Sequence, residues 1–328
     1  MAKKKKKIFL LLAGGTCLTD KEGRIFSVQS AQDIGHWLKQ MPELEILSNL
    51  QPLFISGEDE LVTAAVWEKM VQAITDNFME ADGFVIVSKI DNLLYTGAAL
   101  SFLLQNFQKT VILTSSQISG TSFVDKKAVI EELRNKQGGL GLRANIINAL
   151  QIADRPLPSP AIMFGQRLIS AIKALPDQQN QLNLLASADG NYWGKVDFGV
   201  NLKSGLYFSP HQPDIYKKIK ADIFILEDWP GTPWMLTKDN LVKYHGLFIK
   251  ASPYQPLEKT KQGQIAKWKL PTVIYNRQSV RPIKGAVAIS GCTPYVALTK
   301  TMWALANAGE LADFTSIMQR NLIGEFNN

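Results

Sequence analysis

Two cysteines and three histidines in 328 residues give this chain little with which to build a disulfide framework or a metal centre. Cys17 and Cys292 stand alone and far apart, which fits a reduced, cytoplasmic compartment. His36, His211 and His245 lack the close spacing of metal ligands, so neither a metal nor a cofactor is expected. Long apolar runs are missing too. No segment approaches the roughly 18 uninterrupted apolar residues of a membrane span, so no membrane partner is expected. The apolar run Ile8 to Ala13, behind five lysines, is shorter than the roughly 7–15 residues of a signal peptide's apolar region and reads better as a first buried strand. Charge of one sign is also scarce once the tail at residues 1–7 is set aside. The formal net charge is +7, but Lys3 to Lys7 supply five of those charges and leave 31 basic against 29 acidic residues. Nucleic-acid surfaces spread Lys and Arg along a face, and here a solvated tail holds the excess, so nucleic acid is not an expected partner. Gly138-Gly139-Leu140-Gly141 has neither the Lys-Ser/Thr ending nor the preceding strand of a phosphate loop, and is read as a flexible loop.

What is present is the pattern of an ordinary globular protein, with 46% hydrophobic and 20% charged residues and length enough for two domains. Lys7 to Ala13 predicts strand one, closed by the turn Gly14-Gly15. Residues 17–30 read as a loop, Gln32 to Lys39 as a short helix closed before Pro42, and Glu60 to Met79 as a long amphipathic helix with Val62, Val66, Met70 and Ile74 on one stripe. Residues 82–117 are the most informative stretch. Phe84 to Val87 predicts a buried strand, Asp91 and Asn92 are candidate N-caps, Leu93 to Phe107 has helical spacing, and Thr110 to Thr114 predicts a second strand. That is a βαβ unit, and its first turn lies at the carboxyl edge of a parallel sheet, where open α/β folds bind ligands. A helix over Asn145 to Ala153 and a strand over Ala161 to Phe164 follow. The Gly, Ser, Asn, Asp and Pro content of 187–213 marks a linker region, taken to 218, between a domain at 1–205 and a second at 219–328. Strands at 222–226, 246–249, 272–275 and 286–289, with helices at 293–302 and 311–318, complete the alternation. The fold class is therefore α/β, a large N-terminal parallel-sheet domain plus a smaller C-terminal α/β domain.

Thr16, on the glycine turn after strand one, is a candidate nucleophile if a base removes its proton. Cys17 beside it has no histidine near in sequence and is read as an idle thiol. Ala13-Gly14-Gly15-Thr16, Asp82-Gly83-Phe84-Val85-Ile86, Asp91, Tyr95-Thr96, Ala99-Leu100-Ser101-Phe102 and Val111 to Gln117 together resemble the bacterial-type L-asparaginase family. Asn145 to Ala149, Phe164, Pro230-Gly231, Thr293 to Lys300 and Asn321 to Glu325 extend the resemblance over nearly the whole chain. The resemblance implies an asparaginase-like two-domain fold, a homo-oligomer (dimer or tetramer) with sites shared between subunits, Thr16 as catalytic nucleophile, Asp91 as the carboxylate for a substrate ammonium, and Ser56 as a contact to the substrate carboxylate.

The departures fall where that family does its chemistry. Its second motif, usually His-Gly-Thr-Asp-Thr-Met, is Ser88-Lys89-Ile90-Asp91-Asn92-Leu93 here, so the second catalytic threonine is Ile90. The position of the activating lysine holds Pro176, with Lys173 three residues away, and no tyrosine precedes Tyr95 to partner Thr16. Lys89 is placed to neutralise Asp91 and block an ammonium ligand. The expectation is an asparaginase-like protein impaired towards L-asparagine, with a small amino acid, amine or amide as ligand. Two alternatives stay open: an amidohydrolase using Thr16, and a non-catalytic interaction protein whose Lys3 to Lys7 contact an anionic partner. An amidotransferase component of the same superfamily would carry a further N-terminal domain, for which this length leaves no room.

Overall fold

The computed structural model describes residues 5–13, 18–19, 25–26, 28–57, 60–115, 142–158, 160–177, 184–252 and 256–326. The chain divides into two compact units, 1–215 and 216–328.

In the first unit, β1 (Lys7–Leu12), β4 (Asn49–Phe54), β5 (Gly83–Val87), β7 (Thr110–Thr114) and β8 (Ala161–Phe164) are parallel. β9 (Arg167–Ser170), β12 (Gly194–Val196) and β13 (Val200–Leu202) continue the sheet antiparallel, in the order β13-β12-β9-β8-β7-β5-β1-β4. A parallel sheet covered on both faces needs continuous apolar strands, and all five residues of β5 and of β7 are buried. One face joins Ile8, Leu10, Leu12, Val85, Val87 and Ile112 to Ile34, Trp37 and Leu38 of α1 (Ala31–Lys39). The other, by strand alternation, carries Phe9 stacked on Phe84 at 5.8 Å. There α3 (Ala64–Asp76) packs against α4 (Ile90–Leu103), and α4 against β7. Gly83 is required by a close approach, because a Cβ there would lie 1.9 Å from the Ala153 carbonyl oxygen.

Several expectations shift. Pro42 opens a second helix, α2 (Pro42–Leu47), rather than only closing the first, since proline suits the first helical turn. The expected loop at 17–30 contains the paired two-residue strands β2 (Leu18–Thr19) and β3 (Ile25–Phe26). The helix expected over 60–79 is confined to Ala64–Asp76. The linker expected at 187–218 is a correction: β12 and β13 lie inside it and extend the main sheet, and β14 (Asp214–Ile215) pairs with β6 (Leu104–Gln105). The turn Gly14-Gly15 and the glycines at 138–141 lie outside the described residues.

The second unit is a parallel sheet of β15 (Ile223–Glu227), β16 (Gly246–Lys250), β17 (Thr272–Tyr275) and β18 (Val287–Ile289). Leu247, Ile249, Ile265 and Ile274 share its core with Trp234. Lys300, inside the helix Pro294–Asn307, is fully buried and bonds the fully buried Glu325 at 2.6 Å. Glu325 also accepts the Leu322 and Ile323 backbone N–H groups, and Lys300 donates to the Arg320 carbonyl. Burial pulls the Lys300 ammonium below its ordinary pKa, opposed by the Glu325 charge.

Candidate active site

Parallel register fixes which residues leave the first sheet together. Leu12 of β1 pairs with Phe54 and Val87, and Val87 pairs with Thr114. The ladder runs one residue further: the Ala13 N–H donates to the Val87 carbonyl at 2.9 Å, Ile55 to Leu12 at 2.9 Å, and Ser88 to Thr114 at 3.1 Å. Ala13, Ser56, Ser88 and Ser115 therefore stand at one carboxyl edge, after β1, β4, β5 and β7 respectively. Thr16, three residues past Ala13, lies outside the described residues, as does Cys17.

The turn from β5 into α4 differs from its expected form. Helix α4 starts at Ile90 with Lys89 as N-cap, its backbone extended (φ −61°, ψ 140°) and its side chain making no capping bond. Asp91 and Asn92 are thus first-turn residues rather than caps, and the Asp91 carboxylate complements the positive end of the helix dipole. Lys89 Nζ sits 3.0 Å from Asp91 Oδ2, with the lysine side chain 15% exposed and the aspartate 57%. Ile90 between them is half-buried and offers neither a donor nor an acceptor.

Several polar groups around this edge are held in structural contacts. The Thr114 hydroxyl donates to the Met163 carbonyl at 2.7 Å. Buried Asn145 donates to the Ser115 carbonyl at 2.6 Å and accepts the Gly165 N–H at 3.0 Å, tying the end of β7 to the β8–β9 turn. Thr96 on α4 accepts the Trp67 indole N–H at 3.0 Å. That bond was not foreseen, although a tryptophan on the buried stripe of α3 signals a need for an acceptor. Ser56 is buried. Ser88 is buried as well, and its hydroxyl has no hydrogen-bond partner among the described residues.

At the lysine position of the resemblance stands a proline. Pro176 lies in β10 (Ala174–Pro176), paired with β11 (Leu185–Ser187). The Lys173 carbonyl accepts the Ala188 N–H at 2.7 Å, and its ammonium is among the charges acting on Asp189. At the opposite, amino edge of the sheet the tail lysines have carboxylate partners: Lys6 reaches Asp82 at 3.7 Å and Lys7 pairs with Glu80, holding that carboxyl below its ordinary pKa. Among the described residues no group of three or more His, Cys, Asp or Glu could hold a metal, and no helix is long and apolar enough to cross a membrane.

Residues 7–126 match the protein family described as Asparaginase, N-terminal. Over these residues the chain is similar to the asparaginase family. Its asparaginase-type frame is 23% identical over 348 residues to a glutamyl-tRNA(Gln) amidotransferase component from Metallosphaera sedula, covering 98% of this chain and 77% of that protein. It is 30% identical over 175 residues to L-asparaginase 1 of Escherichia coli, a match that spans 50% of this chain and 45% of that enzyme. L-asparaginase I from Vibrio cholerae shares the fold, with a TM-score of 0.75 at 20% identity over 99% of this chain and 100% of the other. The α/β architecture of two units expected from the sequence is thus the architecture of solved asparaginases.

Proposed function

We propose that this asparaginase-family protein is impaired in hydrolysing L-asparagine and keeps, at the carboxyl edge of its first sheet, a binding position for a small amino-acid-like or amide molecule. The observation that carries this reading is the β5–α4 turn, where Ile90 stands in place of a hydroxyl and Asp91 is already paired with Lys89. Loss of one activating base costs about 10²–10⁴ in rate. Here the second threonine, the lysine at position 176 and the loop tyrosine depart together, and losses within one catalytic unit are not additive but leave little turnover.

A homo-oligomer, dimer or tetramer, in the cytoplasm is part of the same reading. It rests on the family resemblance and on the number and spacing of the two cysteines. The interaction-protein alternative is weakened by the pairing of Lys6 and Lys7 within the chain. An amidohydrolase acting on another amide through Thr16 is the remaining competitor, and the relatives named above make it the one to test.

Purified protein incubated with L-asparagine is expected to release ammonia far below an ordinary enzymatic rate, roughly 1–10³ s⁻¹. Turnover within that range overturns the proposal. Slow turnover of any amide that disappears in Thr16→Ala assigns the chain to the competing reading instead.

A further inference from the structure

We infer that Lys89 is a specificity-determining residue: its ammonium occupies the position at Asp91 that a ligand's ammonium would take, so the unaltered protein selects small carboxylic acids and amides lacking an α-amino group. The inference rests on the proposal that this edge still binds a small ligand. It starts from charge. Asp91 is the carboxylate at the mouth of the β5–α4 turn, and a carboxylate there favours a cationic group in front of it. Lys89 already supplies that group, 3.0 Å from Oδ2. The exposures differ in a telling direction. The lysine is mostly withdrawn from solvent, 15% exposed, while the aspartate remains 57% exposed. The lysine side chain is therefore held against the protein with its ammonium at Asp91, where a bare surface lysine would extend into water.

Tethering makes this occupancy hard to displace. Lys89 is two residues from Asp91, so its effective concentration at the carboxylate is on the order of millimolar or higher, and a free amine must compete against it at every encounter. Apparent affinity for an amino acid falls by the fraction of time the position is open. A ligand of the same skeleton without the ammonium pays no such penalty. It also meets a local charge balance in which Asp91 is neutralised, so that its own carboxylate is not repelled. The Ser88 hydroxyl, adjacent in the chain and without a partner among the described residues, is consistent with a turn whose polar groups are no longer matched to the family's substrate.

Two ligands that differ only in the α-ammonium, L-asparagine and succinamate, test this by titration calorimetry on the full-length protein, its Lys89→Met variant and its Lys89→Arg variant. Methionine keeps the packing stem without the charge, and arginine keeps the charge. The unaltered protein and Lys89→Arg are expected to bind succinamate at least about tenfold more tightly than L-asparagine, and Lys89→Met to reverse that preference by about tenfold or more. A merely structural lysine would not move the ratio of the two affinities. Equal preference in the unaltered protein and Lys89→Met, or failure of Lys89→Met to gain L-asparagine binding, overturns the inference. Should Lys89→Met not fold, Lys89→Gln is read in the same way. Ammonia release is recorded separately in each protein, so failure of the impaired-hydrolase reading and failure of this one are distinguishable.

Discussion

Two lysine–carboxylate pairs in this molecule have similar separations and opposite surroundings. Lys300 and Glu325 meet at 2.6 Å with neither side chain exposed, inside a net of backbone bonds to the C-terminal segment. Lys89 and Asp91 meet at 3.0 Å on the rim of the first sheet, with the carboxylate more than half exposed. A buried pair cannot be opened without leaving an uncompensated charge, whereas opening a rim pair leaves its carboxylate to water. The first is a structural lock. The second is positioned to act as a filter.

The comparison breaks most visibly at the buried pair. Lys300→Met strands the Glu325 carboxylate and should cost about 3–5 kcal/mol in urea unfolding, with a loss under about 1 kcal/mol refuting the lock. Next come two buried hydroxyls. Thr96→Val removes the acceptor of the buried Trp67 indole N–H and should lose about 1–3 kcal/mol. Ser88→Ala deletes a buried hydroxyl that has no partner among the described residues and should raise stability by about 1 kcal/mol. A loss on Ser88→Ala would show that the hydroxyl does have a function in the folded state. The smallest effect belongs to Lys89→Met, within about 1 kcal/mol of the parent because the Asp91 carboxylate is more than half exposed and is left to water. A larger cost would make Lys89–Asp91 a second lock and remove the contrast.

How much of this was legible depended on whether a signal was apolar or geometric. Buried parallel strands such as β5 and β7 announce themselves as continuous apolar runs, and the βαβ turn followed directly from them. β4 has no continuous apolar run, since Asn49, Gln51 and Pro52 interrupt it, and it is the edge strand of the sheet, where proline is tolerated. β12 and β13 escaped because a Gly- and Asn-containing antiparallel edge has the composition of a linker. At the site, residue identities exposed the missing hydroxyl at Ile90. The N-cap did not read correctly: Asp91 and Asn92 are better capping residues by type, but the backbone turns into the helix at Lys89. The lysine's contact with Asp91 was foreseeable from adjacency, while its withdrawal from solvent was not. The burial of Ser88 carried no sequence signal at all.

On the reading proposed above, hydrolysis fails for want of a hydroxyl and base at the β5–α4 turn, and not merely because Lys89 blocks the substrate. Ammonia release from L-asparagine by the unaltered protein and by Lys89→Met, measured side by side, tests it most directly. The account predicts that both stay far below about 1 s⁻¹, even if Lys89→Met binds L-asparagine more tightly. Ordinary turnover by Lys89→Met would contradict it, because removing the lysine alone would then have restored the chemistry.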